Sequence, residues 1–149
     1  MTPEQIEREI VIDAPLERVW AVLTEPEHVA VWFAQSVEGD LHPGSGSVLT
    51  WKEHGSFPIV VERSDPPSFF SYRWAARSPG AEPAAGNSTL VEFTLAPEGD
   101  GTRLRVVESG FGSLDAEQEE YVRDNTEGWE GMLSSLQKYV AKTEAHAAR

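Results

Sequence analysis

The stretch DAEQEEYVRDNTEGWEGMLSSLQKYVAK, Asp115 to Lys142, decides how the rest of the chain is read. Within it Val122, Trp129, Met132, Leu133, Leu136 and Val140 recur at spacings of three, four and seven, which lays one apolar stripe along a helix. A helix from about Asp115 to Lys142 with one buried face is therefore expected. Asn125 stands four residues before Trp129 on that stripe, and Gly128 and Gly131 interrupt a segment otherwise rich in helix formers. Each glycine costs a helix interior about 1 kcal/mol relative to alanine. A polar side chain and two missing side chains on or beside a buried face predict room for a guest.

Upstream, short alternating or β-rich runs are separated by turn-forming residues, as an antiparallel meander requires. The runs are Gln35–Leu41, Ser47–Glu53, Phe57–Ser64, Phe69–Ala76, Ser88–Ala96 and Thr102–Phe111. Between them lie HPGSG (42–46), HGS (54–56), DPP (65–67) and PEGDG (97–101). The longer SPGAEPAAGN (78–87) is expected to be a mobile hairpin tip. At the front, IEREIVID (Ile6–Asp13) alternates as a further strand, with Ile6, Arg8, Ile10 and Ile12 on one side. Two short helices follow it. The first covers Leu16–Leu23, started by Asp13 or Ala14 ahead of Pro15. The second runs to about Val31 from Thr24-Glu25-Pro26-Glu27, which reads as a capping box. Helices segregated on one sheet face predict an α+β fold: a seven-stranded curved antiparallel sheet around a long C-terminal helix, with two short helices after strand one.

A chain of 149 residues, 40% of them hydrophobic, is the size of one domain that buries its own core. It has no cysteine, which excludes disulfides, thiolate metal ligands and a cysteine nucleophile and accords with a reducing compartment. MTPEQIEREIVID carries no signal-peptide pattern, and nowhere do about 18 apolar residues stand in a row, so a cytoplasmic protein with no membrane partner is expected. The formal net charge of -13, with no cluster of lysine or arginine, repels phosphate backbones, so no nucleic-acid partner is expected either.

Three polar residues are candidates for chemistry. In TRLRVVESGF, Leu104, Val106 and Glu108 share one side of the strand, so the Glu108 carboxylate is aimed inward. There it is a general acid/base or a hydrogen-bond anchor, or else a strand-end residue that the Gly110 bend returns to water. Asn125 either faces the interior or bonds a neighbouring loop. Tyr72 shares a side with Phe70 and Trp74, and its hydroxyl needs a partner if buried, whereas Arg73 falls on the outer side. Other motifs fail on context. Gly44-Ser45-Gly46 precedes a strand, not a helix, so it cradles no phosphate. Glu108-Ser109-Gly110-Phe111-Gly112 lacks the first glycine of a nucleophile elbow. His28, His42, His54 and His146 show no ligand spacing and read as surface residues, so no metal is expected.

The element order, with APLERVWAVLTEPEHVAVWF (Ala14–Phe33), VVESGF (Val106–Phe111) and NTEGWEGMLSSLQKY (Asn125–Tyr139), resembles the helix-grip fold of the START-like (SRPBCC) superfamily. Within it the chain is most similar to single-domain proteins homologous to the C-terminal domain of the activator of Hsp90 ATPase, from Glu4 to about Val140. The resemblance implies one START-like domain over residues 1–149. It also implies a cavity between sheet and last helix that takes a small apolar or amphipathic molecule, without a cofactor. Position by position, the implied lining is Tyr72, Trp74, Phe93, Val106 and Glu108 from the strands. Asn125, Trp129 and Met132 join them from the helix, and Trp32 and Phe33 match the entrance segment. Two other functions stand beside ligand binding. One is a polyketide cyclase or aromatase-like enzyme in which Glu108 and Tyr72 transfer protons, aided by Asn125; the other is a co-chaperone-like regulator. Association as a homodimer stays open.

Overall fold

Alternation becomes a sheet wherever one face can be buried, and the strand GTRLRVVES does this without a break: Thr102, Leu104, Val106 and Glu108 are buried while the residues between them are half-exposed. The computed structural model describes residues 5–44, 46–53, 55–75, 80–84, 87–111 and 118–147, without the side chains of 118–121 and 143–147. In chain order the elements are β1 (Gln5–Ile12), α1 (Leu16–Thr24), α2 (Pro26–Trp32), β2 (Ser36–Glu38), β3 (Gly46–Trp51) and β4 (Gly55–Asp65). They continue as β5 (Phe69–Trp74), β6 (Thr89–Glu98), β7 (Gly101–Ser109) and α3 (Gln118–Ala147). The strands form one curved antiparallel seven-stranded sheet in the order β1-β7-β6-β5-β4-β3-β2. The expected α+β helix-grip architecture is the one observed.

The inner face of the sheet carries Val91, Phe93, Leu95, Leu104 and Val106, all buried. Against it pack Val19, Val22 and Leu23 of α1, Val29 and Trp32 of α2, and the stripe Val122, Trp129, Leu133, Leu136 and Val140 of α3. Burying each such side chain contributes about 1.5–3 kcal/mol, so this shared core is what holds α3 to the sheet. The outer face carries charge pairs instead. Arg105 reaches Glu7 at 2.6 Å and Arg73 reaches Glu62 at 2.7 Å, while Arg103 pairs with both Glu9 and Glu98. The Arg105 guanidinium holds the Glu7 carboxyl below its ordinary range.

Both helix starts differ from expectation. Pro15 itself is the N-cap of α1, in extended backbone, with no side-chain cap bond. At the second start, Thr24 still belongs to α1 and its hydroxyl donates back to the Trp20 carbonyl at 2.8 Å. The cap of α2 is Glu25, also without a side-chain bond, so there is no capping box. The reason is that the two helices abut: Glu25 N–H still donates to Ala21 O while Glu25 O already accepts from Val29 N–H. β2 and β7 end earlier than expected for a similar local reason, whereas β4 and β6 run past their expected ends to Asp65 and Glu98. β2 stops at Glu38 because Gly39 takes φ +91°, where a Cβ would come within 2.5 Å of Gly46 O. β7 stops at Ser109, and Gly110 at φ +98° turns the chain so that Phe111 is fully buried.

Residues 112–117, where the last helix was expected to begin, lie outside the described residues, as do residues 76–79, 85 and 86 of the long loop and its approach. In the described part of that loop, Asn87 donates to Glu82 O at 3.1 Å and accepts from Ala84 N at 2.7 Å. His54 and the side chain of His146 lie outside too. His28 is half-buried, not a surface residue: its Nδ1 lies 2.7 Å from the Tyr139 hydroxyl, tying α2 to α3. Among the described residues, no helix is long and apolar enough to cross a membrane.

Candidate functional site

The antiparallel register sets Tyr72, Val91, Glu108 and Ile6 in one row across β5, β6, β7 and β1. The neighbouring pair, Trp74 opposite Thr89, stands beside Glu108 at the end of that row. From above, α3 presents Asn125 and Trp129, one turn apart on one face. These elements converge on Glu108, which has no exposed surface.

Its two oxygens accept from every side. Oε1 takes the Trp129 indole N–H at 2.9 Å and Asn125 Nδ2 at 2.9 Å. Oε2 takes the Trp74 indole N–H at 3.0 Å, the Thr89 hydroxyl, and Asn125 Nδ2 at 3.0 Å. Indole and amide N–H groups can only donate, and an ionised carboxylate can only accept, so the partners match the charged form. None of the four carries a positive charge.

Beside this cluster lies an open-sided cavity of about 270 Å³. Trp51, Phe57 and Trp74 line it from the sheet, Phe33 from the end of α2, and Asn125, Gly128, Trp129 and Met132 from α3. Phe33 stacks on Trp129, 12° from parallel, while other rings are inclined: Phe33 and Trp51 by 85°, Trp51 and Phe57 by 71°, Trp74 and Trp129 by 42°. The Trp51 N–H donates to Phe33 O at 2.7 Å, so the indole N–H groups of all three lining tryptophans are engaged within the protein. Among the described lining residues the one polar side chain is Asn125, whose Nδ2 is committed to Glu108.

A second, much smaller cavity of about 20 Å³ lies against Trp32, Phe33, Tyr72 and Phe93 among other apolar residues. The buried Tyr72 hydroxyl has no hydrogen-bond partner. Burial raises the phenol pKa well above its ordinary value, and the negative charge of Glu108 pushes the same way.

The expected lining thus divides in three. Phe33, Trp74, Asn125, Trp129 and Met132 line the larger cavity. Trp32, Tyr72 and Phe93 face the smaller one, and the Trp32 N–H is spent on Val22 O at 2.8 Å. Val106 and Glu108 line neither cavity, because α3 closes over this end of the row and Asn125 and Trp129 cover the carboxylate. Glu108 is therefore a residue behind the wall, holding three of the side chains that form it. Gly128, expected to leave room for a guest, does line the larger cavity, whereas sequence reasoning places Trp51 and Phe57 among the aromatics around it without assigning them to the lining, and does not single out Thr89 as a partner of Glu108. Their signal was weak: Trp51 and Phe57 are two aromatics among many, and Thr89 needs the β5–β6 register to be placed. Among the described residues, no group of three or more potential metal ligands comes together.

The family model described as Activator of Hsp90 ATPase homolog 1-like protein matches residues 13–141. Among solved structures, DynU16, from the dynemicin biosynthetic locus, is similar with a TM-score of 0.78 and 22% identity. That match covers 93% of this chain and 48% of DynU16, so the chain spans about half the length of that relative. MLL2253 from Mesorhizobium loti is similar with a TM-score of 0.78 and 24% identity, over 93% of this chain and 98% of its own. The Aha1 dimer from Colwellia psychrerythraea is similar with a TM-score of 0.76 and 20% identity, over 91% of this chain and 95% of its own. These likenesses show a shared fold. No curated protein matches the sequence. On the family match, which takes in both short helices, β2 to β7 and most of α3, the chain belongs to the Activator of Hsp90 ATPase homolog 1-like family.

Proposed function

We propose that this chain acts as a single START-like domain that binds a small apolar or amphipathic molecule in the cavity between the curved sheet and α3. The observation that carries the reading is the open-sided space of about 270 Å³, walled by three tryptophans, two phenylalanines and Met132 with one amide. Ligand sites are concave, mostly apolar and furnished with few polar groups, and their volumes start near about 300 Å³. Cytoplasmic location belongs to the same proposal, and so does a homodimer, which rests on a neighbour described as a dimer.

No described geometry favours proton transfer by Glu108 and Tyr72. The carboxylate is enclosed by four donors, and the phenol faces the other, smaller cavity. A thermal-shift and native-mass screen with apolar and amphipathic metabolites tests the binding reading, with Gly128→Leu as the blocked control. Binders raise the Tm of the wild type and leave that of Gly128→Leu unchanged. A screen without a single adduct, or adducts that persist equally in Gly128→Leu, removes the proposal.

A further inference from the structure

Buried carboxylates are normally paired with a cation, because taking an isolated charge out of water is expensive. Glu108 has no exposed surface, yet its partners are two indoles, a hydroxyl and an amide, all neutral. Two of those partners, Trp74 and Trp129, are also walls of the larger cavity. The carboxylate is thus one indole ring away from that space. A hydrogen bond from indole N–H to an anion pushes electron density into the ring and deepens the negative potential over its face, the property that attracts cations.

The rest of the cavity agrees in sign. Among the described residues, no lysine, arginine or histidine lines it. The indole N–H groups are spent within the protein, so no indole donor is free to meet an anion. Asn125 turns its Nδ2 to Glu108, which leaves its amide oxygen, an acceptor, as the group free for a guest. The chain as a whole has a formal net charge of -13.

We infer that the guest of this cavity is an organic cation, a quaternary or protonated amine on an apolar body, held by the tryptophan walls with Glu108 as the buried counter-charge. The inference rests on the binding reading above and narrows it to a class of ligand.

Three probes separate the two. Benzyltrimethylammonium is the cation, neopentylbenzene its uncharged carbon isostere, and phenylacetate an anion of related size; binding is measured by titration calorimetry or tryptophan emission. The cation is expected to bind about 5- to 30-fold more tightly than the isostere, the range of a desolvated cation–π contact, and phenylacetate not measurably. In Glu108→Gln the advantage of the cation shrinks toward unity while the isostere keeps its affinity. Should that variant not fold, the wild-type ratio decides alone, and Trp51→Leu, which removes a wall outside the Glu108 cluster, must lower the affinity of the cation more than that of the isostere. An isostere that binds as tightly as the cation overturns the charge inference and leaves the cavity reading standing. Failure of both probes to bind overturns the two together.

Discussion

Trp74 of β5 and Trp129 of α3, with ring centroids 6.2 Å apart, hand their indole N–H groups to opposite oxygens of one carboxylate: Trp74 to Oε2 at 3.0 Å and Trp129 to Oε1 at 2.9 Å of Glu108. Each ring is thereby fixed at its polar edge while its carbon surface borders the cavity. Glu108→Gln keeps one acceptor but turns an NH₂ toward donors and is expected to destabilise the fold by about 2 kcal/mol; Glu108→Leu strands all the donors and costs roughly 3–5 kcal/mol. Urea unfolding at constant m-value measures both. A leucine variant as stable as the wild type refutes the assigned role.

Tyr72 makes the opposite case. Its hydroxyl is buried without a partner, so Tyr72→Phe removes a desolvated polar group and loses no hydrogen bond. The variant should be more stable by about 1 kcal/mol, raising Tm by about 2–4 °C. A loss of stability of that size would mean the hydroxyl has a partner.

The same phenol gives a pH dependence. Its folded pKa is raised by burial and then by the charge of Glu108, whereas the unfolded phenol ionises near pH 10. Above about pH 10 the unfolded state therefore holds fewer protons than the folded one, so this contribution to stability is complete below pH 10 and declines as pH rises beyond it. Comparing unfolding free energies of the wild type and Tyr72→Phe between about pH 8 and 11 should show the steeper alkaline decline in the wild type. Parallel curves would contradict the assignment.

The two helix glycines should part company. A Cβ at Gly128 or Gly131 meets nothing within 4 Å, so alanine at either is expected to stabilise α3 by up to about 1 kcal/mol through helix propensity. Only Gly128 lines the cavity, so Gly128→Ala should also weaken probe binding while Gly131→Ala leaves it unchanged. Equal effects of the two on a titration would place the guest elsewhere.

Tyr139→Phe removes the 2.7 Å contact with His28 Nδ1 between α2 and α3 and should cost about 1 kcal/mol. His28→Ala in the Tyr139→Phe background, measured by the same unfolding assay, should add less than it does alone, since the pair is already broken. Full additivity would mean the contact carries no energy.

The helix-grip order was legible because it is written in period: alternation along β1 and β7 and the three-four spacing of α3 survive any tertiary context. Helix caps were not, because the Thr24–Glu27 motif is overridden by two helices meeting end to end, where backbone donors already have backbone acceptors. Of the site, the inward aim of Glu108 and Asn125 followed from strand parity and helix phase. That they touch each other does not, since it depends on how far along the sheet α3 lies, and no local pattern encodes that offset. For the same reason Val106, correctly inward, is covered core, while Trp51 and Phe57 reach the cavity because sheet curvature brings the β3–β4 hairpin round to face α3.

The division of partners at Glu108 has a mechanical side. One oxygen is held by Trp129 and Asn125 of the helix, and the other by Trp74 and Thr89 of two strands, with Asn125 reaching both. The carboxylate works as a rivet through two plates. Sliding α3 along the sheet, or lifting it at this turn, shears several short bonds at once, whereas the last turns of the helix are free of that pin. The later turns have fastenings of their own, Ser135 to Trp32 O, Tyr139 to His28 and the buried Leu136 and Val140, so the carboxylate pin is the one that fixes α3 beside the cavity mouth.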